Sequence, residues 1–467
     1  MKRNFESRKS PRVSALGFVF RTLIFEFRFS NFQFRISSFD AMPFELTPTK
    51  LVYGGEALGH HAGRTVLVPR ALPGEYLEVE EVRTSKGVVH ARPLRILQAA
   101  TERVEPPCPY FGRCGGCHYQ HLSAQLQSTS KLEILRETLR RLGRIEWKGE
   151  IPLRAGPPWN YRNQAQLKIA RQPGGRVELG FFEPQSHRVF PIDNCLILSP
   201  RLNAVLGELR RPEWAQGLAG LREIDLVADE RDEEVMITLQ GEAAGGDGDQ
   251  VARNFLEKIP GAVCVALASE NRFHVLGKPA LQYSVGGIRY RVSPGSFFQV
   301  SRFLMLELVT AVTEVERGEL ALDLFAGVGL FSLPLARRFD RVVAAEANPT
   351  AASDLEANAE ANGLPNLHAA GETTYDFLRR FAQREPGLVV MDPPRAGVDA
   401  GSLELLAALR PRKIHYLSCS PPTLARDLNF LVGHGYQLGS VELFDLFPQT
   451  YHIEALVKLS HNKHARL

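Results

Sequence analysis

Apolar and polar residues alternate in short runs between residues 45 and 100, and glycine and proline turns separate the runs. A period of two is that of a β-strand with one buried face. The predicted strands are 50–53, 65–68, 76–82 and 87–97. Short strands at this spacing are typical of a small OB-like β-barrel, which we place at residues 42–100.

The spacing of apolar residues changes from that of a strand to that of a helix at residue 123. Residues 123–144 predict an amphipathic helix, because their apolar side chains fall on one side and charged residues on the other. The apolar positions are Leu126, Leu132, Ile134, Leu135, Leu139 and Leu142. Farther along, β-rich runs fall at 161–170, 177–182, 223–228, 234–240 and 262–269. We therefore predict an α+β central domain over residues 101–292.

From residue 293 to residue 467, strand-like and helix-like segments alternate. The predicted strands are 321–324, 341–346, 388–391, 413–417, 436–444 and 453–459. This alternation is typical of a doubly wound, Rossmann-like α/β domain with ligand sites at the carboxyl ends of its strands. The chain is thus expected to contain several domains.

Residues 1–41 differ from the rest, since they hold nine of the 27 phenylalanines and a net charge of +5. We expect a disordered or mis-annotated leader there, and a targeting peptide is the alternative. The remaining residues carry 48 basic and 49 acidic side chains, so any nucleic-acid surface must be a local patch. No apolar run is long enough for a membrane span. Six cysteines in 467 residues do not make a disulfide scaffold, and a cytoplasmic setting is expected.

A glycine loop follows the predicted strand 321–324. Gly327 and Gly329 would let backbone N–H groups approach a ligand, and Glu346 ends the next strand, where a carboxylate can accept ribose hydroxyls. Ser332 stands where a dinucleotide fingerprint has its third glycine, and Asp392 begins an Asp-Pro-Pro turn. These features favour S-adenosylmethionine over a nicotinamide cofactor, whereas the glycines by themselves fit a simple tight turn.

Cys419 follows the predicted strand 413–417, and Glu454 is the one charged residue in an apolar run. A thiolate that adds to C6 of uracil makes C5 nucleophilic toward a methyl donor, and a base must then remove the C5 proton. Cys419 and Glu454 fit these two roles. A helix N-terminus and the nearby Arg of the flanking Thr-Leu-Ala-Arg-Asp run are expected to lower the thiol pKa, and apolar neighbours to raise that of Glu454. The alternatives are a buried inert thiol and an edge-strand carboxylate facing water.

Four cysteines form a three-plus-one pattern: Cys108, Cys114, Cys117 and Cys195. This spacing suits a [4Fe–4S] cluster better than zinc, which usually takes paired Cys-x2-Cys ligands. His118 and His121 keep zinc open as an alternative. Cys264 lies in an apolar run and is expected in the core.

Three motifs occur in order along the chain: Asp-Pro-Pro-Arg-x-Gly from Asp392, Ser-Cys-x-Pro-x-Thr-x-Ala-Arg-Asp-Leu from Ser418, and Asp-x-Phe-Pro-Gln-Thr-x-His-x-Glu from Asp445. Through them residues 42–467 resemble the RNA uracil-5-methyltransferase family, most closely its iron–sulfur-containing 23S ribosomal RNA branch. Arg395 replaces the aromatic residue of the Asp-Pro-Pro-Tyr motif that amino-methyltransferases use. The motifs therefore argue against N-methylation.

The resemblance implies a Rossmann-like S-adenosylmethionine domain, a central RNA-contacting domain and an N-terminal RNA-binding TRAM barrel, in a monomer. It implies Cys419 as nucleophile and Glu454 as general base. The implied cofactor contacts are Gln299, Phe325, Gly327, Gly329, Glu346 and Asp392; the implied cluster ligands are Cys108, Cys114, Cys117 and Cys195. Leu330 and Ser420 depart from the family pattern. Ribosomal RNA is the expected substrate; transfer RNA and a non-catalytic RNA-binding role are the alternatives.

Overall fold

The structure is a computed structural model that describes residues 42–172, 177–242, 248–269, 273–314, 317–381 and 385–462. The expected leader, residues 1–41, lies outside the described residues. In the described ranges every helix is too short or too polar to cross a lipid bilayer.

The N-terminal region is β-rich, as predicted. Its strands are β1 (Phe44–Leu46), β2 (Lys50–Leu51), β3 (Glu56–His61), β4 (Arg64–Pro69), β5 (Tyr76–Ser85) and β6 (Val88–Gln98). They form one sheet in the order β1-β5-β6-β4-β3-β2. Alternate side chains, such as Val66 and Val68 on β4 and Leu77 and Val79 on β5, are buried on the same side of this sheet. A closed TRAM barrel remains a prediction.

The predicted helix at 123–144 is observed as α1 (Ala124–Arg141). The Ser123 hydroxyl caps it by accepting the N–H of Leu126. Its buried face includes Ile134, Leu135 and Leu139, in one core with the N-terminal sheet and the C-terminal domain. The short strand β7 (Leu153–Ala155) follows α1.

The central region contains a mixed sheet. Its strands are β8 (Gln164–Arg171), β9 (Val177–Phe182), β10 (Val189–Pro191), β11 (Leu221–Ala228), β12 (Val235–Gly241), β13 (Ala262–Ala268) and β14 (Phe273–Gly277), in the order β10-β9-β8-β11-β12-β13-β14. The helices are α2 (Pro200–Leu209), α3 (Ala215–Leu218) and α4 (Gly248–Lys258), with a 3-10 turn at Pro212–Trp214. A separate hairpin, β15 (Leu281–Val285) and β16 (Ile288–Val292), leads into the C-terminal domain.

The C-terminal domain alternates strands and helices, as predicted. Its strands are β17 (Gly318–Leu324), β18 (Phe339–Ala345), β19 (Leu367–Ala370), β20 (Leu388–Met391), β21 (Lys413–Ser418), β22 (Tyr436–Asp445) and β23 (Glu454–His461). Its helices are α5 (Met305–Thr313), α6 (Ser332–Ala336), α7 (Pro349–Ala361), α8 (Thr374–Arg380), α9 (Ala400–Leu409) and α10 (Pro421–Gly433).

The strand order of this sheet is β19-β18-β17-β20-β21-β23-β22-β7. Chain order reverses between β17 and β20, and the crevice beyond such a reversal is where open α/β sheets bind ligands. β17 to β21 run parallel, whereas β23 is antiparallel to β21. The start of β23 therefore lies at the same edge as the ends of β17, β20 and β21.

Candidate active site

Three loops meet at this edge of the C-terminal sheet. Asp392 comes directly after β20, Cys419 directly after β21, and Glu454 is the first residue of β23. Ser418 pairs with Ala455 across the two antiparallel strands, so the neighbouring residues Cys419 and Glu454 lie at the same end of the sheet. The structure thus brings the two residues that the sequence singled out into one site.

Cys419 is half-buried between β21 and the start of α10. Burial, followed by the charges of Glu454 and Asp392, raises the pKa of its thiol to about 12, while Arg395 acts in the opposite direction. The expectation of a lowered thiol pKa is wrong for the unliganded protein. Two carboxylates and desolvation outweigh one exposed guanidinium and the helix terminus.

Glu454 is only 3% exposed. Among the described residues its Oε1 atom has no hydrogen-bond partner. Burial, followed by the charge of Asp392, raises the pKa of this carboxyl well above its ordinary value, which confirms the expected direction. The edge-strand alternative is wrong, because β23 lies between β21 and β22.

The glycine loop after β17 has the backbone of a ligand cradle. Phe325, Gly327 and Gly329 all have positive φ angles, of 64°, 55° and 95°. A Cβ at Gly329 would approach side-chain atoms of Leu333 and Leu355 to 2.4 and 2.5 Å. At Gly327 the nearest atom, the Phe297 carbonyl oxygen, is 3.9 Å from such a Cβ, so a side chain there would fill open space. Gly329 serves packing, whereas Gly327 leaves room for a ligand.

Glu346 follows β18 and is tied to the same loop. Its carboxylate accepts the N–H of Gly327 at 2.8 Å and the N–H of Asn348 at 2.6 Å. These bonds fix the carboxylate beside the open space at Gly327, and each oxygen keeps a lone pair for a ribose hydroxyl.

Ser332 and Leu330 have structural roles in this loop. The Ser332 hydroxyl donates to the buried Asp323 carboxylate at 2.5 Å, which supplies a partner for a group whose pKa burial raises to about 7. Leu330 is buried in the core, and its carbonyl accepts the Tyr290 hydroxyl. At residue 330 the loop therefore offers only its backbone polar groups, because the side chain is apolar and buried.

Gln299 is hydrogen-bonded to Asp392, which directly follows β20. Its side-chain amide donates to the Asp392 carboxylate at 3.2 Å. Burial raises the pKa of Asp392 to about 7. Gln299 thus fixes the orientation of the Asp392 carboxylate, whose charge acts on both Cys419 and Glu454.

Two contributors were missed from the sequence. The Tyr53 hydroxyl, from the turn between β2 and β3, donates to the Cys419 carbonyl at 3.4 Å. Lys131 of α1 is fully buried and donates to Asp445 at 2.7 Å and to the Phe447 carbonyl at 3.0 Å. The sequence around Tyr53 does not mark it as a site residue. Lys131, by contrast, lies four residues before Leu135 on the apolar face of the predicted helix. A charged residue on that face could have indicated a buried ion pair.

The four patterned cysteines share one cavity of about 290 Å³, lined in part by Cys108, Cys114, Cys117, Cys195, His118, Arg162 and His452. Burial raises the pKa of Cys114 to about 11 and that of Cys117 to about 12, and the neighbouring thiols add to both shifts. In the described chain no group of three or more His, Cys, Asp or Glu side chains is arranged to hold a metal ion. Cys264 is fully buried elsewhere, as predicted.

Several known proteins are similar to this chain. The sequence profile described as tRNA (Uracil-5-)-methyltransferase matches residues 278–462. An uncharacterized RNA methyltransferase of Aquifex aeolicus is 34% identical over 89% of this chain and 98% of its own length. The 23S rRNA (uracil(1939)-C(5))-methyltransferase RlmD of Alkalilimnicola ehrlichii is 34% identical over 89% of this chain and 96% of its own.

A solved structure has the same fold. It is the Pyrococcus abyssi tRNA (uracil-54, C5)-methyltransferase in complex with S-adenosyl-L-homocysteine, with a TM-score of 0.69 and 23% sequence identity. The match covers 90% of this chain and 100% of that chain. A methyltransferase fold with an added N-terminal β-rich region is therefore shared by both.

Proposed function

The chain belongs to the family of S-adenosylmethionine-dependent RNA uracil-C5-methyltransferases, and from that premise we propose that it methylates one uridine of 23S ribosomal RNA through a covalent adduct on Cys419. The observation that carries the mechanism is the shared position of Cys419 and Glu454 at one end of β21 and β23. A nucleophile and a buried carboxylate are the two groups that this chemistry requires.

The Cys419 thiolate forms a bond to C6 of the uracil, and the C5–C6 π electrons move toward the C4 carbonyl, which makes C5 nucleophilic. When bound, S-adenosylmethionine would provide the electrophilic methyl group that C5 attacks, with its sulfur left as a neutral thioether. Glu454 then removes the C5 proton. The electron pair restores the C5–C6 double bond and expels the Cys419 thiolate. Arg395 is the cation that favours the thiolate in this setting.

The residues that would hold S-adenosylmethionine are Gln299, Phe325, Gly327, Gly329, Glu346 and Asp392. Three observations support this assignment: the open space at Gly327, the carboxylate of Glu346 fixed beside it, and the Gln299–Asp392 hydrogen bond. Asp392 would lie toward the reacting methyl group, since its charge acts on both Cys419 and Glu454.

The four cysteines in the shared cavity fit a [4Fe–4S] cluster. The donor set is all thiol, and a cluster is bulkier than a single ion, so its ligands stand farther apart than those of zinc. When bound, the cluster would cross-link the segment 108–117 to Cys195 and provide one-electron redox chemistry. We propose Cys108, Cys114, Cys117 and Cys195 as its ligands.

Ribosomal RNA is the proposed substrate because the ribosomal enzyme of Alkalilimnicola ehrlichii matches over most of both chains. Residues 42–100 would form the RNA-binding TRAM barrel, 101–292 the central domain, and 293–467 the catalytic domain. We place the enzyme in the cytoplasm as a monomer.

The substrate is tested by mass spectrometry of ribosomal and transfer RNA from a deletion strain. We expect loss of 5-methyluridine from one 23S ribosomal RNA fragment, restored by the wild-type gene but not by Cys419→Ala. Loss from transfer RNA would redirect the substrate, and unchanged 5-methyluridine in both would refute the function.

The mechanism is tested separately with purified variants. Glu454→Gln should accumulate a protein–RNA adduct that survives denaturing electrophoresis, because addition and methyl transfer need no proton removal. Cys419→Ala should form no adduct and still bind S-adenosylmethionine. Absence of a slow band for Glu454→Gln would rule out its role as the base.

A further inference from the structure

Beside Cys419 lies a cluster of aromatic rings, here called the ring cluster, formed by Tyr53, His118, Tyr451 and His452. The rings of Tyr53 and Tyr451 are 5.5 Å apart and nearly perpendicular. The ring of Tyr451 is 4.6 Å from that of His118 and 4.4 Å from that of His452. The turn between β2 and β3 contributes Tyr53, residues 101–121 (here called the cysteine segment) contribute His118, and the loop before β23 contributes Tyr451 and His452.

The ring cluster is adjacent to the reacting groups. The Tyr53 hydroxyl donates to the Cys419 carbonyl at 3.4 Å. An Arg395 nitrogen lies 3.4 Å from Nε2 of His452. His452 is two residues before Glu454. When an RNA places a uracil against Cys419, the nucleotides next to that uracil must therefore lie close to these rings.

The rings are also open to solvent in part. Tyr53, His118, Tyr451 and His452 are all half-buried, whereas core tyrosines such as Tyr161 are fully buried. Gly55 explains how the turn comes so near: it has a φ of 88°, and a Cβ there would lie 3.2 Å from atoms of His118 and Tyr451. The turn is packed tightly against the rings, yet their remaining surface is left uncovered.

We infer that the ring cluster is a stacking site for an unpaired nucleobase next to the target uridine. This inference rests on the proposed function, because a uridine must leave its stack to reach Cys419, and its neighbours then lose their own stacking partner. Proteins recognise such splayed bases on Tyr and His rings, with an Arg nearby for phosphate or ring contacts. The turn between β2 and β3 thereby reads the substrate at the active site itself.

The test uses a short RNA hairpin that contains the uridine mapped in the deletion strain, with 2-aminopurine at either neighbouring position. At saturating protein, we expect the base on one side to be quenched by wild type, by Tyr53→Phe and by Tyr451→Phe. Tyr53→Leu and Tyr451→Leu should relieve the quenching and weaken RNA binding about 10- to 100-fold, the cost of one base–aromatic stack.

Two controls keep the result interpretable. Tyr76→Leu removes an exposed tyrosine of β5 that bonds Glu45 outside the ring cluster, and it should leave quenching unchanged. S-adenosylmethionine affinity should be the same in all variants, since these rings lie outside the glycine loop. A Leu variant with wild-type quenching and wild-type RNA affinity would overturn the inference.

The two proposals can fail separately. If wild-type protein does not methylate the hairpin at uracil C5, the proposed function fails and the stacking site fails with it. If wild type methylates the hairpin but no neighbouring 2-aminopurine is quenched, only the stacking site is refuted.

Discussion

The surroundings of Cys419 hold its thiol protonated at neutral pH. Its pKa is raised to about 12, first by burial and then by Glu454 and Asp392. A thiol kept in this form reacts little with cellular electrophiles, so the proposed nucleophile would be protected before RNA binds. The carboxylate that is proposed to accept the C5 proton therefore also restrains the thiol.

The raised pKa of the Cys419 thiol predicts how its rate of alkylation depends on pH. Because the thiolate is the reactive form, the rate of iodoacetamide labelling at Cys419 should rise about tenfold per unit between pH 7 and 10, without a plateau. Glu454→Gln should label faster at pH 8, since removal of the carboxylate charge lowers the thiol pKa. Peptide mass spectrometry measures the rate at this residue.

Glu442→Gln is the matched control, because Glu442 is a half-buried carboxylate of the neighbouring strand β22 that pairs with Arg154 and Lys458. Its substitution should leave the labelling rate unchanged. A plateau near pH 8.5, the ordinary thiol value, would contradict the raised pKa.

At the scale of elements, helix α1 holds the loop that leads to Glu454, the proposed base. Lys131 donates to Asp445 and to the Phe447 carbonyl, and Gln127 exchanges two hydrogen bonds of 3.1 Å with Gln449. Gln449 has a φ of 66°, so these bonds maintain a strained backbone five residues before Glu454. A helix distant in sequence thus sets the geometry of the site.

Lys131→Met should destabilise the protein by about 3–5 kcal/mol, the usual cost of leaving one buried ionic partner unpaired. Lys131→Met combined with Asp445→Leu should recover most of that loss, because no buried charge remains. Urea unfolding midpoints measure both.

Lys50→Met is the control, since Lys50 pairs with Glu137 on the same helix but at a part-exposed position. It should cost less than about 1 kcal/mol. Equal midpoints for the Lys131→Met single variant and the double variant would show that the buried pair does not act as described.

Local sequence patterns predicted the helices and strands better than they predicted which of these elements pack or pair together. The helix at 123–144 was found from its periodicity, the strand at 388–391 from its short continuous apolar run, and Glu454 because it interrupts an apolar run. The pairing of β7 with β22 has no such signal, since it joins Leu153 to Leu443 across the chain. Tyr53 beside Cys419 was missed for the same reason: a contact across 366 positions is set by packing and not by local sequence.

At the scale of the whole molecule, the cysteine segment lies between the N-terminal sheet and residues 446–453, here called the β23 loop. The N–H groups of His118 and Tyr119 both donate to the Gln449 carbonyl at 2.9 Å. On its other side, Arg70 donates to the Gly112 carbonyl, and the Gly115 N–H donates to the Phe182 carbonyl of the central sheet. The proposed cluster would therefore stabilise the junction of all three regions.

Cys117→Ser should lose iron and loosen this junction, because Cys117 directly precedes the two N–H groups that hold Gln449. Protein purified without oxygen should contain iron and acid-labile sulfide in equal amounts, reduced in the variant. Hydrogen exchange should accelerate in residues 445–453 of Cys117→Ser, since their partners on the cysteine segment become mobile. Cys264→Ala removes a buried thiol from another core and should change neither iron content nor this exchange.

Two results would contradict this account. Stoichiometric zinc in the wild type would refute the cluster. Unchanged hydrogen exchange in iron-free Cys117→Ser would show that the β23 loop is held in place without the cluster.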